Sequence, residues 1–325
     1  MMPKTQMERM IHNSYSNIGG LIVRKKGESE YEKYFNDCTE STALNVFSVT
    51  KSIVAILLGI AMDKGYPINI GQKILEFFPE YEVARGERLI QSIRLRDMLT
   101  MTAPYKYKNE SAPYKKYFES KDWIKAALDL LGGKGKVGDF FYAALIGPDI
   151  FSGILEKVTG RSVLEFATKN LFTPLGISPK VVKTFQGQED HKEFLKSRQE
   201  NVWVAGPSGV NTAGWGLTMT ANDLAKIGQL FLEKGRYQGQ QIVSSDWVSE
   251  CTTVHSHCKE FKMGYGYLWW IIDEKEHCYA AMGDSGNVIY INESKELVIA
   301  MNALYKPGAM DRRKLIREYI EPVFI

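Results

Sequence analysis

Ten consecutive residues, Ile53-Val54-Ala55-Ile56-Leu57-Leu58-Gly59-Ile60-Ala61-Met62, carry no polar side chain. A helix built from them is apolar on every face, so it cannot lie on a surface, and the rest of the chain has to supply layers around it. Gly65 reads as its C-terminal stop, with Pro67 just beyond.

Immediately before this run stands Phe47-Ser48-Val49-Thr50-Lys51-Ser52. Ser48 falls at or just inside the helix N-terminus, and Lys51, three residues on, lies on the same face, so hydroxyl and amine can touch. A serine hydroxyl is a poor nucleophile until a neighbouring base removes its proton, and a desolvated lysine can be that base. Burial and the positive end of the helix both disfavour the ammonium form. Read alone, Ser-x-x-Lys is more often an N-cap serine followed by a solvated lysine.

The 325 residues suffice for one large domain or two smaller ones sharing an interface. A net charge of +3, from 41 basic and 38 acidic residues spread along the chain, gives no support for nucleic-acid binding. No run reaches the length that spans a bilayer and the first residues lack the apolar stretch of a secretory signal, so the expectation is a cytoplasmic protein with no membrane partner. Cys38, Cys251, Cys258 and Cys278 are too few and too scattered for a disulfide scaffold. Cys251, His255, His257 and Cys258 bring four ligand types together but match none of the paired spacings of a structural zinc site, so a polar loop is expected there, and neither metal nor cofactor.

Residues 19–35 read as two short strands around Lys26-Gly27-Glu28. From about residue 70 to 200 the pattern is helical and loop-rich, with helical stretches at 74–78, 93–101, 123–131 and 149–158, the last closed by Gly160, and strand signal is weak. Residues 104–117, rich in tyrosine and lysine, form either a solvated surface loop or one wall of a substrate cleft, with Tyr105 and Tyr107 as candidate contacts. Thr220 and Asp223 make a helix-start signature, Leu224, Ile227, Leu230 and Phe231 share one face, and Gly235 ends that helix. Four strand-like runs follow, at 264–272, 278–282, 287–291 and 297–301, with short connections that predict an antiparallel meander, and a last helix spans 312–320. The expected fold class is α+β, with residues 1–65 and 201–325 forming the sheet region, 66–200 a helical inserted region, and the site in the cleft between them.

Four blocks, in this order, resemble the serine β-lactamase, penicillin-binding-protein and esterase superfamily in its class C β-lactamase-like branch. They are Phe47-Ser48-Val49-Thr50-Lys51-Ser52, residues 214–228 beginning Gly214-Trp215-Gly216, the run Gly264-Tyr265-Gly266-Tyr267-Leu268-Trp269-Trp270, and Gly283-Asp284-Ser285-Gly286-Asn287. The resemblance covers residues 20 to 301. It implies an antiparallel sheet built from both chain ends and flanked by helices, with Ser48 as the acylated nucleophile and Lys51 as its activating partner. It also implies oxyanion donors at the backbone N–H groups of Ser48 and Asn287.

Two of the family's motifs are altered. Where members carry Tyr-x-Asn, this chain has Tyr142-Ala143-Ala144; Tyr142 fits by type and by its spacing from Phe140, whereas counting from the following helix puts Ala143 in the tyrosine's place. Where many members place a cation that steers a substrate carboxylate, Asp284-Ser285-Gly286 stands instead, so carboxylate-bearing β-lactams are expected to be poor substrates. Asp284 is either a substrate contact, with Ser285 and Gly286, or a turn residue before the strand. Esterase-like members often read Gly-x-x-Gly-Gln here, which Gly283 to Asn287 follows. No Gly-x-Ser-x-Gly elbow is present. The expectation is a serine hydrolase that forms an acyl-enzyme with a small ester, amide or short-peptide substrate, including a D-amino-acid peptidase within that class. The alternative is a catalytically silent, penicillin-binding-protein-like binding or regulatory protein. Oligomeric state leaves no mark in the sequence.

Overall fold

The computed structural model describes residues 2–108, 111–198 and 200–325. Its frame is one antiparallel sheet of eight strands: β1 (Ile18–Lys25), β2 (Glu28–Tyr34), β3 (Ser256–Cys258), β4 (Met263–Tyr265), β5 (Trp270–Asp273), β6 (Cys278–Gly283), β7 (Asn287–Asn292) and β8 (Leu297–Ala303), in spatial order β2-β1-β8-β7-β6-β5-β4-β3. The first hairpin turns at Gly27, whose φ of 84° is the left-handed conformation that glycine adopts without strain. Strands β5 to β8 are the expected meander. β1 joins it from the other end of the chain, pairing Ile18 with Ala303 and Lys25 with Leu297.

The central strands are covered on both faces, which is why β7 and β8 are buried along their whole length and read as apolar runs without alternation. On one face, helix α1 (Lys4–Ser14) and the helical segment from Arg312 to Phe324 bury Met7, Ile11, Leu315, Ile316 and Ile320 against Leu21, Val23, Tyr290 and Ile299. On the other lie α2 (Val49–Asp63) and, further along the chain, the capped helix at Ala221–Leu232. Every residue of α2 from Val49 to Ala61 is buried, as its composition requires. It packs between the sheet and α5 (Asp149–Thr159), on which α4 (Trp123–Leu130) and then α3 (Ser111–Glu119) are stacked, while the Trp247 indole lies on Gly59 and donates to the Ala55 carbonyl at 2.9 Å. Helix α6 (Ala221–Leu232) starts at the expected Thr220/Asp223 capping box.

Several elements differ from the sequence reading. Run 264–272 is two strands separated by a turn in which Leu268 is left-handed, with φ 60°. Residues 104–117 are only partly loop, since α3 begins at Ser111; residues 109 and 110 of that stretch lie outside the described residues. A short parallel pair, Val181–Thr184 with Val202–Ala205, straddles the boundary expected at residue 200, and neither it nor α1 had a counterpart in the sequence reading. Cys251 ends a helix, Cys258 lies in β3 and His255 stacks on Tyr267. Among the described residues no helix is long and apolar enough to cross a membrane, and no group of side chains is arranged to hold a metal ion.

Candidate active site

Backbone on both sides fixes the position of Ser48. The Val46 N–H donates to Leu217 O at 2.9 Å, the Phe47 N–H donates to Asn45 Oδ1 at 3.0 Å, and Phe47 itself takes φ 47°. A bulky residue in the left-handed region is held there at roughly 1–3 kcal/mol, so the surroundings over-determine this turn. The result is Ser48 at the N-cap of α2, with a half-buried side chain facing a cleft of about 540 Å³.

One turn along α2, Lys51 is 1% exposed, and its Nζ lies 2.8 Å from Ser48 Oγ. Two backbone carbonyls complete its surroundings, Ala144 O at 2.6 Å and Gly214 O at 2.9 Å. Gly214 can come this close because it has no side chain: a Cβ there would lie 2.5 Å from Leu145 O. Burial pulls the Lys51 amine down to about 7, against the opposing pull of the Asp284 and Asp149 charges. The ring of Tyr142 has its centroid 5.1 Å from Lys51 Nζ, and its hydroxyl interacts with Ser48; burial pushes this phenol above its ordinary range. Ala143 points into the core at 1% exposure, so the side chain beside Ser48 and Lys51 belongs to Tyr142.

Asp149, at the start of α5, was not singled out from sequence. It is 1% exposed, accepts from the Ala213 N–H at 2.8 Å and from the Tyr117 hydroxyl, and so holds the backbone that presents Gly214 O to Lys51. Burial pushes its carboxyl up to about 6. Its sequence signal, an aspartate one residue after Pro148 at a helix start, reads only as a favourable first-turn charge.

The Gly283–Asn287 segment corrects three expectations. The Asn287 N–H donates to Asp284 O, and Asn287 is 1% exposed with its side chain bonded to Asp284 O and the Ala303 N–H, so it does not face the cleft. Ser285 is left-handed at φ 63° and turns away: its hydroxyl accepts from the Lys306 N–H, and its carbonyl accepts from Asn17 and Arg312. Gly286 is packed on Arg312, where a Cβ would lie 2.4 Å from Nε. Only Gly283 and Asp284 of this segment line the cleft beside Ser48. A Cβ on Gly283 would lie 2.2 Å from Val46 O and 3.2 Å from the Ser48 nitrogen, so the end of β6 meets the nucleophile backbone to backbone.

Tyr105 and Tyr107 are also displaced from their expected role. They pack on each other and on Phe141, with centroids 5.4 to 5.5 Å apart, behind the cleft wall. Tyr114, in α3, is the tyrosine of that stretch that lines the cleft, together with Trp215 and Trp270.

The Beta-lactamase family model matches residues 8–321. By sequence, 6-aminohexanoate-dimer hydrolase from Paenarthrobacter ureafaciens is 22% identical over 275 residues, 78% of this chain. The chain spans 64% of that curated relative's length. By structure, a penicillin-binding protein homologue from Caulobacter crescentus superposes with a TM-score of 0.75 at 13% identity, covering 99% of this chain and 96% of the other. A family VIII carboxylesterase superposes with a TM-score of 0.71 at 14% identity, covering 98% and 96%. What is shared at these identities is the fold.

Proposed function

Because this chain belongs to the beta-lactamase family, we propose that it is a serine hydrolase that cleaves a small ester or amide through an acyl-enzyme on Ser48. The observation that carries this reading is the surroundings of Lys51 Nζ. A neutral amine has two N–H donors and one lone pair. The carbonyls of Ala144 and Gly214 take the two donors, which leaves the lone pair aimed at Ser48 Oγ, 2.8 Å away. Such an amine accepts the serine proton as the hydroxyl attacks an acyl carbonyl.

Ala144 stands where relatives of this type carry an asparagine, and its own carbonyl supplies an acceptor to the lysine. That favours the enzyme over the silent binding protein. Tyr142, kept neutral by burial, can donate its proton to the leaving group and take one from the deacylating water. For the developing oxyanion, the Ser48 N–H and the Asp284 N–H are the donors that fit. Both belong to the backbone where β6 meets the start of α2, and donors fixed there need no reorganisation as charge forms. Amide cleavage has a precedent in the name of the relative from Paenarthrobacter ureafaciens, and ester cleavage in that of the carboxylesterase of like fold. Asp284 in place of a cation disfavours carboxylate-bearing β-lactams.

The test is labelling by a fluorophosphonate together with turnover of short acyl esters. Both are expected in the native chain, and both are expected to be lost in a folded Ser48→Ala variant. A Ser48→Ala protein that retains either one overturns the reading.

A further inference from the structure

The cleft in front of Ser48 has an unbalanced wall. Besides Tyr142, six aromatic side chains line it, those of Phe47, Tyr114, Trp215, Phe261, Trp270 and Tyr305, and the only formally charged side chain on it among the described residues is Asp284. Among the described residues no lysine or arginine lines it; Lys51 lies beneath the floor, bonded to two carbonyls. His191 also reaches the wall, but burial pulls it down to about 4, so it is neutral near pH 7. The Asp284 carboxylate accepts no hydrogen bond and has no ion-pair partner among the described residues, although the same residue's backbone is fixed by the Asn287 N–H and side chain.

We propose that this cleft selects substrates carrying a positive charge, an ammonium group on the acyl or the alcohol side that sits between the Asp284 carboxylate and the surrounding aromatic faces. Aromatic faces are electron-rich and attract cations, most of all where water is thinned. An exposed carboxylate alone discriminates weakly because solvent screens it. Backed by rings on several sides it discriminates more, since a cation entering the cleft meets attraction from each wall and an anion meets repulsion. The charge choice also reaches the chemistry. The Asp284 charge helps hold a proton on Lys51. A substrate cation seated at Asp284 offsets that charge and favours the neutral amine, so the preference enters kcat as well as KM.

This inference rests on the hydrolase reading, and the experiment separates the two. Steady-state kinetics are measured at low ionic strength on two isosteric pairs. The first is butyrylcholine against its uncharged carbon isostere, and the second is the nitrophenyl ester of aminohexanoic acid against that of heptanoic acid. In the native chain, kcat/KM is expected to favour the cation by about tenfold in the pair whose charge faces Asp284. The ratio is expected to fall towards one in Asp284→Asn, and to fall in the native chain as salt is raised. Ratios near one in both pairs, with the neutral esters turned over, overturn the charge selection and leave the hydrolase intact. So does a preference that Asp284→Asn retains. If no ester is turned over and the fluorophosphonate does not react, it is the hydrolase reading that fails. Should Asp284→Asn not fold, the salt dependence of the native ratio decides: a ratio that salt does not move overturns the proposal.

Discussion

At the scale of single residues, the site turns on one amine whose proton is held loosely. Lys51 is lowered to about 7 by burial, and the groups that face it, Asp284 and Asp149 as charges and Tyr142 as a neutral phenol, set where it titrates. Acting as a base requires the unprotonated form, so activity is lost as pH falls and is gained as pH rises through the folded value. The kcat/KM for a neutral ester is therefore expected to climb to a plateau through an apparent pKa of about 7; a profile flat from mildly acidic to mildly basic pH would contradict this. Ser48 and Lys51 were legible in the sequence because three-residue spacing on a helix is a local fact. Their partners were not. Ala144 O and Gly214 O are backbone atoms with no side-chain signature, and Asp149 reaches the site only through the path of the 213–214 backbone. The same blindness explains why Asn287 was expected in the oxyanion role: motif spacing locates the segment but not which of its N–H groups points into the cleft.

At the scale of elements, α2 shows what an all-apolar helix demands of its neighbours. Gly59, mid-helix, is a poor helix former, yet a Cβ there would lie 2.1 Å from Trp247 Cδ1. Close contact with the indole outweighs propensity at this position. Gly59→Ala is thus expected to destabilise the fold by about 1–3 kcal/mol by overpacking, despite alanine's better helix propensity. Chemical denaturation measures this, and a variant as stable as the parent or more so would show that the indole is free to move. The hairpin, the meander and α6 were readable because period and capping agree in them. The parallel pair Val181–Thr184 and Val202–Ala205 was hidden because four residues carry too little pattern. The break at Leu268 was hidden because a left-handed leucine leaves no compositional mark.

At the scale of the whole molecule, the α+β class and the sheet drawn from both chain ends followed from strands flanking a helical middle. The exact order, with β1 inserted between β2 and β8, is a tertiary choice that alternation cannot specify. That choice has a kinetic consequence. Ser48 and Lys51 are adjacent early in the chain, but the segment that walls the cleft beside them, Gly283 and Asp284, ends a strand made late, and β1 stays half-paired until β8 arrives. Contacts this distant in sequence close slowly, whereas helices form early. On dilution from denaturant, helical circular dichroism is expected to return before fluorophosphonate reactivity, and coincident recovery would contradict the idea. During synthesis the same order leaves the serine–lysine pair harmless: a ribosome-bound chain that already holds Ser48, Lys51, Tyr142 and Gly214 still lacks the Asp284 side of its cleft, so the nucleophile stays unarmed until nearly all of the sheet has emerged.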